Sequence, residues 1–248
     1  MEKYFVKIKE LIKKNKENHF FLYLLILKIK DRPFRGWGDF ICMYTYSWYL
    51  SMRIFGFSFF PKVCFTKNIF KVIVKKNSKA IIISNVKIAI LFEGFFYGNG
   101  SSTLSFGDGS QVVIDNTFLI GDGVKIIVEE EARLYIGGKD KNDLSGITCN
   151  TIIICSKEIS IGKGTIISWG CYITDSSNHK INGCVKKSPV TIEEHVWISE
   201  GVTISAGSRI GSGSVIGSKS YLNSIYPQQS LIVGCPAQVK KKYITWNR

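Results

Sequence analysis

Three histidines in the chain leave little choice of a side chain that moves protons near neutral pH. His19 lies in an apolar run and His195 inside a regular repeat. His179 sits in a polar segment that interrupts the repeats, Asp175-Ser-Ser-Asn-His-Lys-Ile-Asn-Gly-Cys-Val-Lys-Lys-Ser-Pro189. An imidazole there could take a proton from a hydroxyl or an amine. Asp175, four residues earlier, fits two roles: fixing the imidazole tautomer or contacting an acceptor, against the plainer one of forming a turn. The seven cysteines are scattered, odd in number and contain no CxxC. They read as free thiols in a reducing compartment, and no zinc-ligand spacing accompanies the histidines. Cys171 and Cys184 are the nearest candidate nucleophiles, but neither has a second histidine nearby to activate it, so no covalent enzyme intermediate is expected.

The elements that must position His179 are legible in a six-residue step. Ile192, Ile198, Ile204, Ile210 and Ile216 keep one register, with Val196, Val202, Ser208, Ser214 and Ser220 at the fifth place. Ile161, Ile167 and Ile173 form an earlier run, and Ile114, Ile120 and Ile126 a third. This period fits neither an α-helix nor an alternating strand. It fits a hexapeptide β-helix, one short strand plus a turn per repeat. The aliphatic residue points inward, the small fifth residue packs beside it, and glycine at place two with glycine or polar residues at places three and four is expected to make the corner. The register slips between Glu131 and Asn150, where Gly137 to Asp143 reads as a loop, and breaks again from Asp175 to Pro189.

Residues 1–62 have a different texture. Met1 to Glu17 reads as a lysine-rich amphipathic helix, and His19 to Ile29 as an apolar run too short to span a bilayer. Phe40 to Phe60 is crowded with aromatics and reads either as a helix capping the β-helix or as an interfacial membrane segment. The division is therefore an N-terminal helical extension over 1–62, a β-helix over 63–226 with the 175–189 loop, and a C-terminal loop and tail over 227–248. Net charge is +14. No zinc finger, helix-turn-helix or RNP-like pattern accompanies it, so nucleic acid is not the expected partner. Lysines at both ends suit an anionic membrane surface or phosphate-bearing ligands.

The stretch from Ile153 to Ile181, with Trp169-Gly-Cys leading through Asp175 to His179, resembles the hexapeptide acyltransferases. It is most similar to O-acetyltransferases of bacterial surface-polysaccharide biosynthesis. Glu194-His-Val-Trp-Ile198 and Gly234-Cys-Pro-Ala237 extend the resemblance over roughly residues 105–245. It implies an all-β fold, a left-handed parallel β-helix, assembled as a homotrimer with acetyl-CoA between subunits. By the same resemblance His179 is the catalytic base with Asp175 beside it. Trp197, Ser199, Glu200, Gly217, Ser218, Pro236 and Lys241 match donor-binding positions. The family's Thr-Lys is Asn223-Ser224 here, which passes phosphate contacts to Lys219 or the terminal lysines. Trp169, Asp175 and Ser177 fall on the acceptor side, Ser177 where the family has a second Asp.

The reading that follows is transfer of acetyl from acetyl-CoA to a sugar hydroxyl of a surface polysaccharide or its precursor. The enzyme is expected in the cytoplasm, peripheral to the inner face of the membrane, acting on a glycan or nucleotide-sugar acceptor and needing no metal. Two rivals stand beside it. One is N-acetylation of a nucleotide-linked amino sugar, which His179 serves equally well. The other is a non-catalytic β-helix scaffold, which has no use for the His179 loop. A β-helical carbonic anhydrase is excluded, because only two histidines lie in the repeats.

Overall fold

The computed structural model describes residues 33–65, 71–93, 100–140 and 145–247. The helix expected over Met1 to Glu17 and the apolar run that follows lie outside the described residues. Helix α1 (Pro33–Phe55) opens the described chain. Proline at its first position needs no helical N–H partner, and Gly56, at φ 85°, ends it. Met43, Ser47, Leu50, Ser51 and Ile54 are buried at helical spacing, so this face lies against the first coil of strands. The contact is pinned by polar bonds. Val63 N donates to Ser51 Oγ at 2.9 Å, Val72 N to the Tyr46 hydroxyl at 3.1 Å, and Lys76 Nζ to the Ile54 carbonyl at 2.8 Å.

Three parallel sheets form the faces of a left-handed β-helical prism. The first face carries β1 (Val63–Phe65), β4 (Ile90–Phe92), β7 (Phe118–Ile120), β10 (Ser145–Ile147), β13 (Ile166–Ile167), β18 (Trp197–Ile198), β21 (Val215–Ile216) and β24 (Ser230–Gly234). The second carries β2 (Val72–Lys76), β5 (Ser102–Phe106), β8 (Lys125–Val128), β11 (Ile152–Cys155), β14 (Tyr172–Thr174), β19 (Thr203–Ile204) and β22 (Tyr221–Leu222). The third carries β3 (Ile81–Ile83), β6 (Gln111–Ile114), β9 (Arg133–Ile136), β12 (Glu158–Ile161), β17 (Val190–Ile192), β20 (Arg209–Ile210) and β23 (Ile225–Tyr226). Where the step is strict, a coil closes in eighteen residues: Trp197 pairs with Val215 and Thr203 with Tyr221. Earlier coils are longer, as when Val72 pairs with Ser102.

The isoleucines of the six-residue step are all fully buried and stack coil upon coil inside the prism. Each contributes about 1.5–3 kcal/mol by leaving water. The small fifth residue is buried as expected, and at two of the three serines it also satisfies its own corner. Ser208 Oγ donates to the Ser205 carbonyl and Ser220 Oγ to that of Gly217, both at 2.7 Å. The corner falls within places two to four, and its torsions divide the work. The residue that turns left-handed is place four: His195, Gly201, Gly207, Gly213 and Lys219 all have φ between 55° and 83°. Glycine at place two answers to close approach instead. A Cβ on Gly211 would stand 2.3 Å from the Gln228 nitrogen of the next coil.

The parallel stack runs past Tyr226, because β24 still pairs with β21. Its coil is two residues short, Val215 pairing with Leu231, which breaks the six-residue step and hides this strand from a periodicity reading. Strand β25 (Ala237–Lys242) then pairs antiparallel on β24 and covers that outer edge. The remaining tail runs back along the corner between third and first faces. Ile244 N bonds the Gln229 carbonyl at 2.9 Å, and Trp246 reaches His195 two coils back.

Candidate active site

The segment 175–189 is an ordered hairpin rather than a loose loop. Strands β15 (Ser176–Ile181) and β16 (Cys184–Lys187) pair antiparallel, with Ile181 opposite Cys184. Asn182 and Gly183 join them at φ 51° and 83°, the left-handed pair that a tight hairpin turn needs. The Asn-Gly dipeptide was a legible signal for this turn. The hairpin leaves the corner between second and third faces, and His179 is exposed on it.

Several groups fix the hairpin to the prism. Asp175 is fully buried. Its Oδ1 accepts from Ser156 N at 2.7 Å, and its Oδ2 from Lys157 N at 2.8 Å and Glu158 N at 2.6 Å. Both carboxylate oxygens are thus committed to the turn between β11 and β12 one coil below. The carboxylate expected beside the imidazole or an acceptor lies at the hairpin stem, held inside because three backbone N–H groups converge on it. Ser177, expected on the acceptor side, lies within the hairpin. Its hydroxyl donates to the His179 carbonyl at 2.8 Å and accepts from Lys186 N at 3.1 Å, so it knits the hairpin together. On the outside, Lys187 Nζ donates to the Ser156 carbonyl at 3.1 Å and stands 3.6 Å from the Glu129 carboxylate.

Tyr172 was not singled out by the sequence reading. It lies on the second face, and its hydroxyl accepts from Asn178 Nδ2 at 3.1 Å. Asn178 is itself left-handed at φ 58°. This bond folds the hairpin back toward the second face and sets the backbone next to His179. A tyrosine at an outward strand position beside the interruption was the available clue.

The donor-side residues fall into two groups. Ser199 and Glu200 form the corner between first and second faces in one coil, and Gly217, Ser218 and Lys219 form it in the next. Gly201 N bonds the Trp169 carbonyl at 2.9 Å and Lys219 N the Glu200 carbonyl at 3.0 Å, which stacks these corners directly. Gly234 N bonds Ser220 Oγ at 3.0 Å and brings exposed Pro236 to the same edge. Trp169 is 44% exposed at the head of this column, and Lys219 lies across Gly201, where an added Cβ would meet its Nζ at 2.6 Å.

Trp197 and Lys241 are not part of that column, since both lie toward the opposite edge of the first face. Trp197 is 41% exposed and stands beside a clamp the sequence did not disclose. Trp246 stacks on the His195 ring with centroids 4.2 Å apart and lies 6.0 Å from Trp197. Trp246 Nε1 donates to the His195 carbonyl at 3.0 Å, and His195 Nε2 lies 3.1 Å from the Trp246 carbonyl. His195 therefore has a structural task, holding the tail at a left-handed corner.

The thiols at the site are packing groups. Cys171 is buried, and burial pushes its thiol up from the ordinary range. Burial, with the Asp175 carboxylate beside it, pushes Cys155 up to about 12. Among the described residues no cluster of three histidine, cysteine, aspartate or glutamate side chains is placed to hold a metal.

Residues 189–224 match the bacterial transferase hexapeptide (six repeats) family. A protein of Klebsiella pneumoniae, described as an uncharacterized 24.8 kDa protein in cps region, is 35% identical over 191 residues, covering 75% of this chain and 79% of that protein. Among solved structures, the polysialic acid-specific acetyltransferase NeuO is 19% identical, covering 75% of this chain and 89% of its own, with a TM-score of 0.41. The polysialic acid O-acetyltransferase OatWY is 19% identical over 73% of this chain and 92% of its own, with a TM-score of 0.40. The N-acyltransferase AntD from Bacillus cereus, solved with dTDP and 3-hydroxybutyryl-CoA, is 17% identical over 70% of this chain and 83% of its own, with a TM-score of 0.37.

Proposed function

Because this chain belongs to the hexapeptide-repeat family of bacterial transferases, we propose that it transfers acetyl from acetyl-CoA to a sugar hydroxyl of a bacterial surface polysaccharide or its precursor. The observation that carries this reading is His179, exposed on a hairpin that buried and surface bonds hold in one place. A scaffold has no need to fix a solvent-facing imidazole in this way. The similarity to a protein of a capsule (cps) region supports a glycan as the acceptor.

His179 accepts the hydroxyl proton as the sugar oxygen bonds to the thioester carbonyl carbon. The carbon–sulfur bond then breaks, and the leaving thiolate takes the proton back from the imidazole. Asp175 acts as a positioning residue, through the hairpin stem. The first–second corner offers the donor a ledge: Gly217 without a side chain, the small Ser199 and Ser218, and Lys219 for phosphate charge. Within one chain this column and the hairpin lie on different edges, separated by the width of the second face. Cys171 to Thr174 cross that face, a span of roughly 10 Å at about 3.3 Å per residue. A second copy packed edge to face closes that gap, which supports a homotrimer with the donor between subunits. The free thiols agree with a cytoplasmic protein.

The test is release of CoA thiol from acetyl-CoA by the purified chain, across a panel of glycans, nucleotide sugars and amino-sugar nucleotides. Transfer to hydroxyl acceptors, lost in His179→Ala, supports the proposal. Transfer confined to amines replaces it with N-acetylation, and a correctly folded His179→Ala variant of full activity removes His179 from the chemistry.

A further inference from the structure

At the N-terminal end of the prism a patch of large apolar side chains faces solvent. Trp37, Ile41 and Trp48 form a stripe on α1 at helical spacing, all at least 39% exposed. Phe57, Phe59 and Phe60, on the turn after the helix, are 73%, 82% and 73% exposed. The two parts are continuous, because Trp48 Nε1 donates to the Ser58 carbonyl at 3.0 Å. The turn is braced from within. Ser58 Oγ donates to the Phe60 carbonyl at 2.7 Å, and the Phe57 and Phe59 rings meet edge to face at 5.4 Å. The phenylalanines are thus held outward while the opposite face of α1 is buried on the strands.

The N-terminal part of the sequence that carries this patch is net positive. Over 33–62 the chain carries Arg35, Arg53 and Lys62 against Asp39 alone. The preceding residues 1–32 add nine lysines and arginines against four acids. We infer that this end of the molecule docks on an anionic lipid surface, with the aromatic patch entering the headgroup region and the basic residues drawing it there. Aromatic side chains favour that zone, and each lysine or arginine near an anionic surface strengthens binding by about 1 kcal/mol. A second copy of this chain is the poorer occupant, since pairing two such ends sets like charge against like. No helix among the described residues is long and apolar enough to cross the bilayer, and the contact inferred for the patch is an interfacial one.

The geometry has a consequence for the acceptor, which rests on the proposed acetyl transfer. His179 follows β14, the fifth strand of the second face counted from the α1 end. Four strand spacings of about 4.8 Å put that coil roughly 19 Å from the first. With the prism upright on the membrane, the hairpin stands above the headgroups at the height of a glycan carried on a lipid anchor.

The experiment uses the full chain and vesicles of equal parts phosphatidylglycerol and phosphatidylcholine, with pure phosphatidylcholine as reference. Cosedimentation is expected on the anionic vesicles, weakening as salt is raised. The exposed triple variant Phe57→Ala/Phe59→Ala/Phe60→Ala should bind about tenfold more weakly, and Phe59→Ala alone about threefold, with unchanged melting and unchanged activity on a soluble acceptor. The single variant keeps the test readable if the triple fails to fold. Absence of binding to anionic vesicles overturns the inference, as does equal binding by the Phe59→Ala variant. A variant that changes the size of the oligomer makes the patch a contact between copies and overturns it equally. Vesicle binding is read without any acetyl transfer, so a failed acceptor assignment leaves this result standing.

Discussion

Replacing Asp175 with alanine separates anchoring from chemistry. The substitution removes both acceptor oxygens from Ser156 N, Lys157 N and Glu158 N. A buried N–H left without a partner costs about 1–3 kcal/mol. The bond to Ser156 N is buried and those to Lys157 N and Glu158 N are part-buried, where water can substitute. Taking about 2 kcal/mol for the first and about 1 for each of the others gives roughly 4 kcal/mol. For a chain of this size each kcal/mol lowers the melting temperature by about 2–4 °C, so a fall of roughly 8–16 °C is expected. Circular dichroism reads the melt, and limited proteolysis reads whether cleavage moves to the hairpin at 176–187. Turnover should fall because the His179 hairpin is no longer held, while the KM for acetyl-CoA changes little. A variant that melts within about 2 °C of the parent yet has lost its activity would refute this reasoning and return Asp175 to the chemistry.

The exposed His179→Ala variant should show the opposite pattern, an unchanged melt with turnover reduced roughly 10²–10⁴-fold, as for a lost general base. Ser218→Trp, at the exposed corner, should raise the KM for acetyl-CoA several-fold before it affects the acceptor; unchanged donor kinetics would place the donor elsewhere. Trp246→Ala should release the tail from His195, costing about 1–2 kcal/mol for the lost stacking and hydrogen bonds. Its readout is hydrogen exchange at residues 243–247, and full protection there would contradict the clamp. Glu193 gives a pH test. Its bonds to Arg209, ahead of those to Ser212, hold its carboxyl below the usual carboxylate range. A lowered folded pKa means this stability is present above the unfolded value of about 4.5 and is lost as pH falls through the folded value. Glu193→Gln should therefore flatten the acid side of the melting curve, and an unaltered acid limb would argue against the bond.

The six-residue step by itself determined the faces of the prism, because a core this narrow admits one aliphatic side chain per repeat and shows directly as spacing. It also exposed the interruption carrying His179, since a break in a strict period needs no structure to be seen. The corner was legible at places two to four, but not which of them turns left-handed. Both hold glycine often, and only backbone torsions distinguish a left-handed residue from one pressed against the next coil. Strand β24 was missed because a coil two residues short destroys the period while keeping the pairing. The roles of Asp175 and Ser177 could not be read from spacing, because their partners at 156–158 and 186 are met only after the chain has coiled or turned back. The same holds for Tyr172 against Asn178 and for Trp246 against His195, fifty-one residues apart. Sequence fixes what a single repeat must contain; which polar groups meet across coils is decided by the stacking and by where the tail returns.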